Sequence, residues 1–161
     1  MRLGYNKGIA KEGLNVKGNS GIDGVLPEGE VMTNPKVSII ILNWNGLKDT
    51  VECLESLRKI AYPDYRVLVV DNGSTGDDVK VLRERFGNYI HIIENEKNYG
   101  FAEGNNIGMR YAIANHHPDY LLLLNNDITV APNFLTELVN AAEKNPAIGL
   151  LGPVVYDYFK H

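Results

Sequence analysis

The sequence is poor in cysteine, in long apolar runs and in positive charge, and each shortage removes a class of function. Cys53 is the one cysteine, so neither an intrachain disulfide nor a cysteine-based zinc site can form. A reducing cytoplasm is the expected compartment. Aliphatic stretches such as Ile39–Leu42 and Leu121–Leu124 fall far short of the ~20 residues that cross a bilayer. The opening MRLGYNKGIAKEG lacks the apolar core of a secretory signal. The 16 Lys and Arg stand against 20 Asp and Glu, a formal charge of −4. Phosphate-backbone affinity rests on basic side chains, so no nucleic-acid partner is expected. No G-x-x-x-x-G-K-[ST] loop occurs anywhere. A G-x-G-x-x-G turn is missing where a dinucleotide fold needs it, because Asn43-Trp44-Asn45-Gly46 follows the first apolar run and bulky Trp44 blocks a pyrophosphate.

What is present is one ordinary domain: 161 residues, 44% hydrophobic and 22% charged. Residues 1–34 hold 7 of the 16 glycines, with charges balanced four against four and few bulky apolar side chains. They are expected to be a Gly-rich extension or linker that cannot bury enough surface to fold by itself. The domain is expected over 35–161.

Within it, short β-branched runs alternate with helical periodicity. Strands are expected at Val37–Leu42, Arg66–Asp71, Tyr89–Ile93 and Tyr120–Leu124, with a fifth over Ile148–Val155 broken by Gly152-Pro153. Helices are expected at Gly46–Lys59, Asp77–Phe86 and Glu103–Asn115, and from Pro132 onward in the favoured first-turn position. His116-His117-Pro118 is expected to be a solvated turn, and His91 a packing residue within a strand. Strand–helix alternation implies an α/β fold: a mainly parallel sheet with helices on both faces and right-handed crossovers. Ligands of such sheets bind beyond the carboxyl ends of the strands.

That rule selects four segments rich in Asn, Asp and Gly: Asn43-Trp44-Asn45, Asp71-Asn72-Gly73-Ser74, Asn95 to Asn106, and Asn125-Asn126-Asp127. Asp71 can accept from a nucleobase N–H or a ribose hydroxyl, or it can simply start an Asx-turn or cap the next helix. Asn43 and Asn45 suit a base or sugar edge, or a turn. The stretch from Asn98 to Gly108 suits close approach of a phosphate to backbone, or close helix–sheet packing. Asp127, at the rim of an apolar strand, can reach a divalent cation or cap a turn.

In this order the four motifs resemble the family 2 glycosyltransferases of GT-A fold, over about Pro35 to Tyr158. Asn98-Tyr99-Gly100-Phe101-Ala102 through Asn106-Ile107-Gly108 is similar to the motif of their rhamnosyltransferase-like branch, and Asn125-Asn126-Asp127 occupies the place of their D-x-D. The resemblance implies inverting transfer of a sugar from a nucleotide-diphosphate donor, a dTDP- or UDP-sugar, to a saccharide or lipid-linked acceptor. It implies that Asp71 recognises base or ribose, with Asn43, Asn45 and Asn72 lining that pocket. Asn98, Gly104, Asn105 and Asn106 would lie under ribose and diphosphate. Asp127 would hold Mg2+ or Mn2+, with Asn125 and Asn126 beside it. Asn125 replaces the first acid of D-x-D, so low affinity for free metal is expected. Family members continue into an acceptor half that supplies the general base. That base is expected beyond His161, so the chain is expected to be the donor-binding portion, active only when completed or else a non-catalytic nucleotide-sugar-binding module. Self-association through surface left bare is expected, with location cytoplasmic, free or peripheral at the inner face of the cell membrane.

Overall fold

The computed structural model describes residues 34–156. The expected Gly-rich extension lies outside them except for Asn34. The elements run β1 (Val37–Asn43), α1 (Leu47–Leu57), β2 (Tyr65–Asp71), α2 (Asp78–Phe86), a 3-10 turn (Gly87–Tyr89), β3 (Ile90–Glu94), α3 (Gly100–His116), β4 (Tyr120–Asn125) and α4 (Phe134–Lys144). The strands form one sheet in the order β3-β2-β1-β4, every pair parallel.

The period of two in a strand divides β1 and β2 between two layers. Val37, Ile39 and Ile41 join Val67 and Val69 on one face. There they pack with Cys53, Leu54 and Leu57 of α1, Leu82 and Phe86 of α2, and Leu135 and Val139 of α4. Ile40, Leu42 and Val70 point the other way, toward Gly104 and Gly108 of α3. Both faces of the central strands are therefore covered, which is why these runs are apolar without alternation. Each fully buried Ile, Leu or Val contributes about 1.5–3 kcal/mol relative to an exposed one.

The order has a functional consequence. From β1 the chain steps outward to β2 and β3 with α1 and α2 on one face, then returns over the other face through α3 to β4. The winding reverses between β1 and β4, and the crevice outside the strand ends at such a switch point is where ligands sit.

Several expectations are corrected. No strand forms over Ile148–Val155; those residues are irregular and mostly exposed. Gly149, Gly152 and Pro153 explain the failure, since glycine weakens a strand and proline withholds a ladder donor. The helix expected from Pro132 opens instead at Phe134. Pro132 lies in the preceding turn, its carbonyl accepting from Ala61 N at 2.9 Å. β4 is only half-buried, with Leu123 46% exposed, because α3 covers β1 and β2 but not this edge strand. His116 ends α3 and His117 caps it in the left-handed region (φ 48°), so these are not a free turn. His91 is exposed and stacks on Tyr111, ring centres 4.5 Å apart.

Candidate functional site at the carboxyl edge of the sheet

Strand register brings the polar segments to one edge. Asn43 lies opposite Asp71, Asp71 opposite Glu94, and Leu42 opposite Asn125. Asp71 and Asn125 thus flank β1 at two strand spacings, ~10 Å.

Asn43 is the hub. Its side chain is fully buried. Its Nδ2 faces Asp71 Oδ2 at 2.8 Å, Asp78 Oδ2 at 3.0 Å and Ser74 Oγ at 3.2 Å, and its Oδ1 accepts from Thr50 Oγ1 at 2.7 Å. Two carboxylates around one amide fix which end is nitrogen, since a flipped oxygen would face them both. Asp71 is 3% exposed. Its Oδ1 accepts from Ser74 N at 2.9 Å and its Oδ2 from Ser74 Oγ at 2.6 Å. Asp71 thus closes its own loop through Ser74, three residues on and so one residue longer than an Asx-turn, and Oδ1 retains capacity for a further donor. Asp78 is also buried, in the first turn of α2, where the helix dipole favours an anion. Asn45 adopts a left-handed conformation (φ 50°). Its N–H donates to Ser74 Oγ at 2.9 Å, and its Oδ1 accepts from Thr75 N at 2.9 Å. Trp44 between them projects outward, 56% exposed.

Asn72 is the hub of the next loop, buried at 1%. It donates to Asn98 Oδ1 at 2.9 Å and Gly100 O at 3.2 Å, and accepts from Asn95 Nδ2 at 3.0 Å and Tyr99 N at 3.1 Å. Gly73 has φ +77° and its missing Cβ would lie 2.7 Å from the Lys97 backbone, so glycine is required there twice over. Asn43 and Asn72 thus stand behind the rim and hold it, whereas Asn45 and Asn98 are exposed on it. On α3, Gly104 presses against Leu42 and Asn72. Asn105 is buried and bonds back to Phe101 O at 2.9 Å. Asn106 faces Glu103, whose carboxyl is held below the usual range chiefly by Arg110 and next by Asn106. The packing alternative for this stretch is thus realised at Gly104 and Gly108.

Across the switch point, Asn125 is exposed at the end of β4 and Asn126 turns inward, donating to Thr50 Oγ1 at 3.0 Å. Exposed Asp127 lines a cavity of about 320 Å3 with Lys48, Asp49, Glu52 and Cys53. Among the described residues no three His, Cys, Asp or Glu side chains converge as a preformed metal cage. A single exposed carboxylate with two more along the same cavity fits a hard cation that keeps most of its water, as Mg2+ does. Burial, and secondarily Asp127, push the Cys53 thiol up to about 12, so it is no nucleophile at neutral pH.

The sequence reasoning missed Thr50 and Asp78. Thr50 had a signal: it sits in the stripe Leu47, Thr50, Val51, Leu54, Leu57, as a polar residue on an apolar helix face. Asp78 had only its first-turn position. A separate hollow at the amino ends of the strands, lined by Arg66, His91, Tyr111 and His116, lies on the opposite edge. His116 is held below its usual range there by burial, then by Arg66 and His91.

The chain belongs to glycosyl transferase family 2, which residues 38–160 match. An uncharacterized glycosyltransferase of Haemophilus influenzae is 29% identical over 115 residues, 71% of this chain and 37% of that protein. Staphylococcus aureus TarS (residues 1–349), solved in complex with UDP-GlcNAc, superposes with TM-score 0.60 at 24% identity, over 68% of this chain and 31% of that one. The mannosyltransferase PcManGT of Pyrobaculum calidifontis, solved with GDP-Man and Mn2+, gives TM-score 0.64 at 22% identity, over 73% and 35%. The fold is therefore GT-A, and the chain spans about a third of the length of these proteins.

Proposed function

We propose that this family 2 domain holds the nucleotide-diphosphate part of a sugar donor across the β1/β4 switch point, as the donor half of an inverting, metal-assisted glycosyltransferase. One observation carries the proposal. The ends of β1 and β2 are hydrogen-bonded into a polar rim around Asp71, and the exposed carboxylate of Asp127 stands just beyond the end of β4 at the same edge of the sheet, lining a cavity against α1. Rigid donors and acceptors at a switch point suit a nucleotide, because the protein's own side chains lose little ordering entropy on binding.

Asp71 Oδ1 accepts from the base or ribose, and Asn43 and Ser74 hold that carboxylate in place. Trp44, exposed beside Asn45, offers a ring face to the base. Asn45, Asn98 and the start of α3 border ribose and diphosphate. Asp127 holds Mg2+ or Mn2+, with the diphosphate and water completing its shell. The cation, when bound, neutralises charge on the departing diphosphate. The acceptor hydroxyl needs a general base, and none of the residues placed around the donor is assigned that role. The UDP-GlcNAc and GDP-Man complexes of the structural neighbours support nucleotide-sugar binding in this fold. The segment Asn98 to Gly108 favours the rhamnosyltransferase-like branch, with a dTDP- or UDP-sugar donor and a saccharide or lipid-linked acceptor at the inner face of the membrane.

Calorimetry with UDP, dTDP and GDP, with and without Mn2+, tests this. The expected outcome is binding of at least one nucleotide, strengthened by metal. Asp71→Asn is expected to weaken nucleotide binding with or without metal, and Asp127→Ala to remove only the metal's contribution. Failure of all three nucleotides to bind would overturn the proposal. Metal-strengthened binding without transfer or donor hydrolysis would leave a nucleotide-sugar-binding module.

A further inference from the structure

Thr50 links the end of β1 to the turn after β4. Its side chain is fully buried, yet its hydroxyl does not bond back to its own helix. The backbone N–H already takes Gly46 O at 2.9 Å. The hydroxyl reaches out instead, donating to Asn43 Oδ1 at 2.7 Å and accepting from Asn126 Nδ2 at 3.0 Å. Asn43 then donates to Asp71 at 2.8 Å. Every link runs in one sense, Asn126 to Thr50 to Asn43 to Asp71, so each donor polarises the next. The contact is built into the backbone as well. A Cβ at Gly46 would lie 2.6 Å from Asn126 Nδ2, so only glycine at 46 lets Asn126 reach the hydroxyl. A weaker link from the same helix, Cys53 Sγ to Asn125 O at 3.8 Å, ends on β4 and goes no further toward Asp71.

We infer that Thr50 is a positioning residue that couples the Asn126–Asp127 turn to Asp71, so that occupation of one side of the crevice is felt on the other. The inference rests on the donor-site reading above. Thr50 touches neither base nor cation. It acts because Asn126 cannot shift as its neighbour Asp127 takes a cation without changing the bond to Thr50. Asn43, held by that same hydroxyl, sets the direction of its own donation to Asp71. Coupling between sites is reciprocal, so a ligand at Asp71 must also bear on Asn126.

The test reads the side-chain amide resonances of Asn43 and Asn126 in the isotope-labelled 161-residue chain. MgCl2 is added in one series, and uridine, thymidine and guanosine in turn in another. Nucleosides carry no phosphate, so they cannot bridge to the metal directly. In the unaltered chain Mg2+ should shift both amides, and a bound nucleoside should do the same. In Thr50→Val, Mg2+ should shift Asn126 only and the nucleoside Asn43 only. Thr50→Ser, which keeps the hydroxyl, should restore both responses. Asn126→Ala breaks the relay from its far end without orphaning Asn43, and decides the matter if Thr50→Val does not fold; there Mg2+ should leave Asn43 unmoved. Full transmission in Thr50→Val or Asn126→Ala overturns the inference. So does an unaltered chain in which Mg2+ moves Asn126 but not Asn43, while the donor-site reading survives. If no ligand moves either amide even at high MgCl2, the inference is overturned, while the donor-site reading stands or falls by the nucleotide calorimetry.

Discussion

At position 50 a hydroxyl occupies a slot that the helix pattern reserves for an aliphatic side chain, and its removal has a definite stability consequence. Thr50→Val keeps the shape but leaves Asn43 Oδ1 buried without a donor and Asn126 Nδ2 without its acceptor. An orphaned buried polar group costs about 1–3 kcal/mol, so urea unfolding should show a loss of that size. Thr50→Ser should lose under ~1.5 kcal/mol, since it deletes one methyl and keeps both bonds. Burial likewise decides the ionisation of two other core groups. The thiol of Cys53 and the hydroxyl of Tyr62, which donates to Pro35 O at 2.5 Å, are both pushed up to about 12 from ordinary values of 9.0 and 10.0. For Cys53 the larger cause is burial and the smaller Asp127; for Tyr62 it is burial, then Asp64, Asp119 and Glu143. The folded chain holds these protons longer than the unfolded one. Stability from them is therefore whole below about pH 9 and is lost as pH rises toward 12. The urea midpoint should fall as pH rises from about 9 toward 12, less steeply in Tyr62→Phe. Site residues were legible in sequence only as types and places: Asp71 and Asp127 announce themselves at strand ends, whereas Asn43 and Asn72 look like rim residues until burial shows them behind it.

The helix α3 illustrates why an element can be found in sequence while its reason is misplaced. Asn98 to Gly108 invites a phosphate-loop interpretation, yet α3 begins at Gly100, three residues earlier than its periodicity suggests, and two of its glycines face the sheet. A Cβ on Gly108 would lie 2.7 Å from Ile40 Cγ2 and 2.9 Å from Val70 Cγ2. Both are branches next to the backbone of central strands and cannot swing away. At Gly104 the clash is with Leu42 Cδ1 at 2.5 Å, the far end of a side chain that can change rotamer. Alanine gains about 0.8–1 kcal/mol over glycine in a helix interior, while overpacking a rigid core costs about 1–3 kcal/mol. Gly108→Ala should therefore destabilise by roughly 1–2 kcal/mol, and Gly104→Ala should be close to neutral. Denaturation midpoints of the two variants check this, and the reverse order would mean that Leu42, not Ile40 and Val70, sets the helix–sheet distance. Periodicity could place α3 because its buried stripe is regular. It could not distinguish a glycine that admits a ligand from one that admits a sheet, since both leave the same gap in the sequence.

For the molecule as a whole, the layered α/β order and the common polar edge were readable because Ile39–Leu42 and Val67–Val70 are continuous apolar runs and their strands end in Asn43 and Asp71. The far edge was not readable, because Leu121–Leu124 looks equally apolar yet only one of its faces is covered. Leu122 and Leu124 pack on the core. Leu123, on the other face, is 46% exposed, and Leu150, Val154, Val155 and Tyr156 are 66–85% exposed. Among the described residues β4 is an edge strand with one apolar face uncovered, which favours association. The occupant proposed for the 161-residue chain is a second copy. Sedimentation velocity should show a sedimentation coefficient that rises with concentration over the micromolar range. Leu123→Lys places a charge on the bare face of β4, a device that edge strands use against pairing. It should return the coefficient to a constant monomer value with only a small loss of thermal stability, because the side chain is already about half exposed. Nucleotide affinity should be unchanged, since position 123 lies two residues short of the strand's carboxyl end and on the face away from Thr50 and Asn126. A coefficient independent of concentration in the unaltered chain would mean that the bare face is covered within the chain itself.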